Sequence, residues 1–197
     1  MRLNFSPVNL IIGTPGAGKT SFLAMLAKKY SKTCTVYSNT PIKGTILIND
    51  KDVGYFNFAC FGKPAVLLLD ESGIAYNNRD FKNGLMSDPM RLTYWKLVRH
   101  YHCTIFVASQ GLDVDKKIRD LSESMFIIKK GLIPHTSIIQ PVIRKIDVDK
   151  LSHQLVDSYI IGGKVLSKRI FRPLYYKYFD SWTAPVLPDY PSDVVVD

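Results

Sequence analysis

The chain has 197 residues, 46% of them hydrophobic and 22% charged, which is enough for one domain with its own core and too apolar for a disordered chain. Its 26 basic and 17 acidic residues leave a net charge of +9, a balance that suits a polyanionic partner, whether nucleic acid or an acidic membrane surface, though a merely basic soluble protein has it too. Cys34, Cys60 and Cys103 form neither a CxxC pair nor a Cys/His metal pattern, no run approaches the ~20 apolar residues of a membrane span, and the N-terminus carries no signal-peptide core, so the expectation is a cytoplasmic chain without structural disulfides.

Val8–Ile12 is a short apolar run closed by glycines, and reads as a buried parallel strand. A helix follows over 21–30, with Phe22, Leu23, Met25 and Leu26 at helical spacing. Between them, Gly13-Thr14-Pro15-Gly16-Ala17-Gly18-Lys19-Thr20 matches G-x-x-x-x-G-K-[ST] in full. The glycines let the backbone curl so that several N–H groups point at phosphate oxygens, and the next helix adds its positive end. Residues 13–21, including Ser21, are therefore the candidate ATP-binding segment. Lys19 is placed to reach the β and γ phosphates, and the Thr20 hydroxyl to ligate Mg²⁺.

Thr35–Asn39 is a second strand, stopped by Thr40-Pro41, and 45–48 a minor third. Ala65–Leu69 is the most strand-like run of the chain and ends in Asp70-Glu71. An acid at the carboxyl end of a buried strand is delivered to the ligand crevice of an open α/β sheet. Asp70 is the expected Mg²⁺ partner, and Glu71 the candidate to polarise the attacking water.

Residues 91–101 read as a helix with Leu92, Trp95, Leu97 and Val98 as packing residues. Residues 104–108 form another buried strand, ended by Ser109-Gln110. A polar group there can contact the γ-phosphate or the lytic water. Gln110 fits first and Ser109 second, against the plain alternative of a solvated strand end. A short helix over 114–121 and a strand over 125–128 complete an alternation that predicts an α/β P-loop NTPase, with a mainly parallel sheet flanked by helices.

After Gly131 the pattern changes. Residues 138–146, 159–161 and 165–171 read as strands, with Gly162-Gly163 as a hairpin turn. They predict an antiparallel β extension over 131–182 of a single domain spanning 1–182. A Pro-containing tail over 183–197 is expected to be extended or disordered. Basic residues gather here, among them Lys129, Lys130, Arg144, Lys145, Lys168, Arg169, Arg172 and Lys177, interleaved at the end with Phe171, Tyr175, Tyr176, Tyr178 and Phe179. A half-buried hairpin, a single-stranded DNA surface and a membrane-facing surface all fit that pattern. The four histidines have no metal-ligand spacing.

In order along the chain, the P-loop, Ser38-Asn39-Thr40-Pro41, Asp70-Glu71, Arg99-His100, Ser109-Gln110 and the segment Asp115-Lys116-Lys117-Ile118-Arg119 resemble the zonula occludens toxin family, the cytoplasmic ATPase domain of filamentous-phage assembly proteins. The resemblance runs from about Leu10 to Lys130. It implies an ATP-driven motor for phage assembly and export at the inner face of the host inner membrane. Single-stranded DNA or a phage nucleoprotein would be its cargo, and inner-membrane assembly proteins its partners. It also implies a homo-oligomeric ring, a hexamer by analogy, in which an arginine from a neighbouring subunit reaches the γ-phosphate. Arg119 is the first choice for that role, with Arg99 and Arg79 behind it. Members carry a transmembrane helix after the ATPase domain, and this chain has none. A packaging ATPase acting on double-stranded DNA shares the same parts, and a small-molecule kinase or a non-catalytic interaction module remains as a further alternative.

Overall fold

The computed structural model describes residues 5–55, 64–72, 76, 85–111, 114–148, 155–161, 167–180 and 183. Arg79, Cys60, the Gly162-Gly163 turn and the tail beyond Thr183 lie outside the described residues.

The parallel part of the sheet is built from β1 (Val8–Ile12), β2 (Thr35–Ser38), β3 (Ile46–Leu47), β4 (Ala65–Leu69), β5 (Cys103–Ser109) and β6 (Ser124–Lys130). Three antiparallel strands follow: β7 (Thr136–Val148), β8 (Leu155–Ile161) and β9 (Lys168–Phe171). All nine belong to one sheet in the order β3-β2-β4-β5-β1-β6-β7-β8, with β9 on β7. The strand that leads into the P-loop therefore sits centrally, between β5 and β6. β5 in turn separates it from β4, the strand that ends in the acidic pair.

Helices cover both faces, which is why the central strands are apolar on both sides. α1 (Lys19–Tyr30) places Phe22, Leu23 and Leu26 against Ile11, Val66, Leu68, Phe106 and Phe126. On the other face α2 (Pro89–Leu97) and α3 (Lys116–Leu121) bring Trp95 and Ile118 to Leu10, Leu67, Leu69, Ile105 and Val107. Successive residues of β4 thus go to opposite cores, and all five are buried.

The helix boundaries follow their caps. α2 starts at Pro89 because the Asp88 side chain accepts from the Met90 N–H and proline suits the first helical position. It ends at Leu97, four residues before the sequence pattern predicts. Trp95 and Val98 are buried as expected, Leu97 is exposed, and Tyr94 and Arg91 are buried in its place. α3 starts at Lys116 rather than Val114, since Asp115 accepts from the Lys117 N–H and Val114 is still bridged in extended form.

In β7, Pro141 lies within a paired strand, opposite Phe126 of β6. On its other edge β9 pairs residues 136–139 and β8 pairs 142–148. Gln140 and Pro141 occupy the gap between those partners, so the missing proline N–H costs no ladder bond. Among the described residues, no helix is long and apolar enough to cross a membrane.

Candidate nucleotide site

The carboxyl ends of β1, β4 and β5 converge on the loop between β1 and α1. That loop is shaped by glycine. Gly16 and Gly18 have φ of 71° and 100°, in the left-handed region where a Cβ is disfavoured. A Cβ on Gly18 would also collide with Ser137 Oγ and would meet Arg172 Cδ at 2.8 Å. Gly18 is the N-cap of α1 and provides no side-chain cap, and the first turn of the helix carries no acid. The N–H groups that open α1 are therefore left to a ligand, and the helix dipole favours an anionic one.

Lys19 is buried. Its Nζ donates to the Gly13 carbonyl at 3.0 Å and lies 3.3 Å from Glu71 Oε1. The Thr20 hydroxyl donates to Asp70 Oδ2 at 2.6 Å. Gln110, at the end of β5, donates from Nε2 to Glu71 Oε2 at 3.0 Å. Ser109 is buried, and its carbonyl accepts from the Gly13 N–H at 3.2 Å. Lys19, Thr20, Asp70, Glu71 and Gln110, far apart in sequence, thus form one connected group.

Burial pushes the Asp70 carboxyl up. The Thr20 hydroxyl holds it down, and the Glu71 charge pushes it up further. Asp70 bonds no cationic side chain among the described residues, because Lys19 pairs with Glu71 instead. A buried carboxylate beside a hydroxyl, both oxygen donors and neither bonded to a cationic side chain among the described residues, fits Mg²⁺. Glu71 itself has φ of 47°, unusual for a residue with a side chain. The turn lets the Asp70 and Glu71 carboxylates serve different neighbours although they are adjacent in sequence.

Behind this group lies Asn39, fully buried at the end of β2. Its Oδ1 accepts from the Asp70 N–H at 2.7 Å, and its Nδ2 donates to the Asp70 carbonyl and to Asp50 Oδ2, each at 2.9 Å. Asp50 is buried too, and burial lifts its carboxyl to about 7, against the pull of Asn39 and Arg91. The sequence marks Asn39 only as part of a family-like strand end. Its role follows the same cue as Asp70 and Gln110, a polar residue closing a buried strand.

The antiparallel strands reach the same loop. Ser137 Oγ donates to the Ala17 carbonyl at 2.5 Å, and Arg172 Nη1 to the Gly16 carbonyl at 2.8 Å. A cleft of about 630 Å³ opens here, lined by Lys19, Thr20 and Glu71 on one side and by Arg172, Tyr176 and Phe179 on the other. No local signal in the sequence singles out Ser137, Arg172 or Tyr176 from the other late polar, basic and aromatic residues.

Arg119 lies on the last turn of α3, which delivers the chain to the start of β6. Arg99 is exposed just before β5. Both are at the amino ends of parallel strands, the edge opposite the P-loop, and neither enters the site of its own chain.

No protein-family model matches the chain, and no curated protein sequence does. Solved structures do. The N-terminal domain of zonular occludens toxin from Neisseria meningitidis matches with a TM-score of 0.54 at 18% identity, over 90% of this chain and all of that one. The genome packaging NTPase B204 of Sulfolobus turreted icosahedral virus 2, in complex with AMP, matches with a TM-score of 0.51 at 10% identity, over 79% of this chain and 98% of that one. Its complex with ATP-gammaS gives 0.50 at 10% identity, over 77% and 96%. At such identities the likeness shows the fold: a P-loop NTPase-like α/β sheet, mainly parallel, with antiparallel strands added late in the chain.

Proposed function

We propose that the chain is an ATP-hydrolysing motor domain that handles a DNA-containing polymer, with residues 1–182 acting as one domain. One observation carries this reading: Lys19, Thr20, Asp70, Glu71 and Gln110 meet at an uncapped helix N-terminus. The loop N–H groups and Lys19 bind the phosphates. Thr20 and Asp70 hold Mg²⁺, which would draw charge from the phosphate oxygens. Phosphate arrival gives Lys19 a better partner than Glu71. The carboxylate so released, still held by Gln110, then orients the attacking water and accepts its proton.

The likeness to zonular occludens toxin, together with the sequence resemblance, supports a role in phage assembly or export. The likeness to a genome packaging NTPase supports DNA packaging equally. Both readings favour an oligomer in which an arginine such as Arg119 or Arg99, remote from its own P-loop, serves the neighbouring one. ATP turnover against protein concentration, with single-stranded or double-stranded DNA added, tests all of this. Turnover that climbs steeply with concentration supports the motor. Stimulation by single strands favours assembly, and by duplex favours packaging. The Lys19→Ala variant should lose both nucleotide binding and turnover, and undiminished turnover would remove the site assignment.

A further inference from the structure

The loop that would receive the phosphates is surrounded by more positive charge than its motif supplies. Lys19 has Glu71 as its partner. Lys130 and Arg172 have no ion-pair partner among the described residues. Lys130 Nζ lies 3.5 Å from where a Cβ on Gly16 would sit, so it stands over the loop. Arg172 spends one donor on the neutral Gly16 carbonyl, and its buried Nε has no hydrogen-bond partner among the described residues. A guanidinium held at the mouth of a phosphate loop by a neutral acceptor has a stronger acceptor to gain in a phosphate oxygen.

Arg172 is not there by chance contact. It opens a segment of two tight turns, Arg172–Leu174 and Tyr176–Tyr178, pinned at both ends. The Arg172 N–H bonds the His135 carbonyl at 2.9 Å, and the Tyr178 carbonyl accepts from the Lys43 N–H at 2.7 Å. Phe179 is bridged to Ile42 and packs on the α1-side core. Tyr176, by contrast, is 44% exposed on the cleft wall, with its ring braced edge-to-face by Phe179 at 6.3 Å. A large aromatic ring fixed in place yet open to a cleft is suited to stacking a planar base.

We propose that residues 172–179 form the second wall of the nucleotide site, with Arg172 binding the phosphate chain in cis and Tyr176 carrying the base. The proposal rests on the P-loop reading above and adds to it a half of the site that no motif encodes. It also gives Gly18 a second duty. A side chain there would displace both Ser137 and Arg172, unseating the wall as well as straining the loop.

Calorimetric titration of the full chain with ATP and with inorganic tripolyphosphate separates the two roles. Arg172→Gln should weaken both ligands about tenfold, and Arg172→Lys, which keeps the charge and the stem, by less. Tyr176→Ala should weaken ATP about fivefold or more and leave tripolyphosphate unchanged. Lys177→Ala, exposed on the same turn, should change neither. Thermal melting of each variant identifies any that fails to fold, and Arg172→Lys then carries the phosphate arm alone. Binding that requires Lys19 but ignores Arg172 and Tyr176 overturns this inference and leaves the P-loop reading intact. Absence of ATP binding by the unaltered chain removes both.

Discussion

The two walls of the cleft are made in opposite ways. One wall is made of short motifs at strand ends: the P-loop after β1, Asp70-Glu71 after β4, and Gln110 after β5, all at the carboxyl edge of one parallel sheet. The other is made of Arg172 and Tyr176, on the tight turns that follow β9, while Ser137 of β7 is buried and bonded to the Ala17 carbonyl. The first wall uses backbone N–H groups and carboxylates, which chemistry on a triphosphate requires. The second offers a guanidinium and an aromatic ring, groups suited to recognising a ligand without reacting with it. On the roles proposed above, reaction falls to the ends of the parallel strands and recognition to the turns that follow the antiparallel ones.

That division is sharpest at Glu71. In the Glu71→Gln variant the amide keeps much of the shape and the bond to Gln110 can be reformed, but the group no longer accepts a proton. Turnover should fall by about 10²–10⁴-fold, while ATP binding stays within about threefold or tightens, since Lys19 loses its competing partner. Single-turnover hydrolysis alongside equilibrium binding checks this. Equal loss of both would mean that Glu71 belongs to recognition, and the division between the walls would break.

How much of this was legible follows the same line. β1, β4 and β5 are readable because buried parallel strands are largely apolar and end abruptly at a glycine, acid or amide, and α1 because it follows the glycine-rich loop at helical spacing. The first wall came with them, because a strand end is a place defined by sequence. α2 starts two residues before its pattern and α3 two residues after, since Asp88 and Asp115 fix where those helices begin. The second wall was hidden for a physical reason. Alternation in a half-buried hairpin scatters polar, basic and aromatic residues evenly, and only the tertiary pairing of β7 with β6 and β9 brings Ser137 and Arg172 to the loop. Asn39 falls between these cases, placed by a strand end but given its work by Asp70.

Asn39 also tests whether the reacting wall depends on support behind it. Asn39→Ala removes the partner of the Asp70 N–H and one partner of its carbonyl, and strips Asp50 Oδ2 of the Asn39 amide donor, all in a buried site. Orphaned buried groups of this kind cost about 3 kcal/mol in sum. Urea unfolding should show that loss. Turnover should fall more than nucleotide affinity, because Asp70 is misplaced while the loop is not. A variant with unchanged stability would mean that water replaces the amide.

The last effect, confined to one pH window, concerns the buried carboxyl beneath both. Asp50 stands at about 7 in the folded chain, lifted first by burial and also by Asp52, with Asn39 and Arg91 opposing; unfolded, it returns to an ordinary value of about 3.9. Below about pH 4 both states hold the proton, and Asp50 costs the fold nothing. Between about 4 and 7 the unfolded chain ionises while the folded chain keeps its proton, so stability falls as pH rises, by at most about 4 kcal/mol across the window. Above 7 the loss is complete and the slope from this group vanishes. Asp50→Asn keeps an oxygen for Asn39 Nδ2 and cannot ionise. Its urea midpoint should therefore match that of the unaltered chain near about pH 3 and exceed it near about pH 7.5. Asp70, which burial also pushes up, remains in both proteins and cancels from the difference. Parallel pH profiles would mean that Asp50 is already ionised in the fold, paired with Arg91 more tightly than its burial suggests. The support behind Asp70 would then be an ion pair instead of a neutral hydrogen-bonded network.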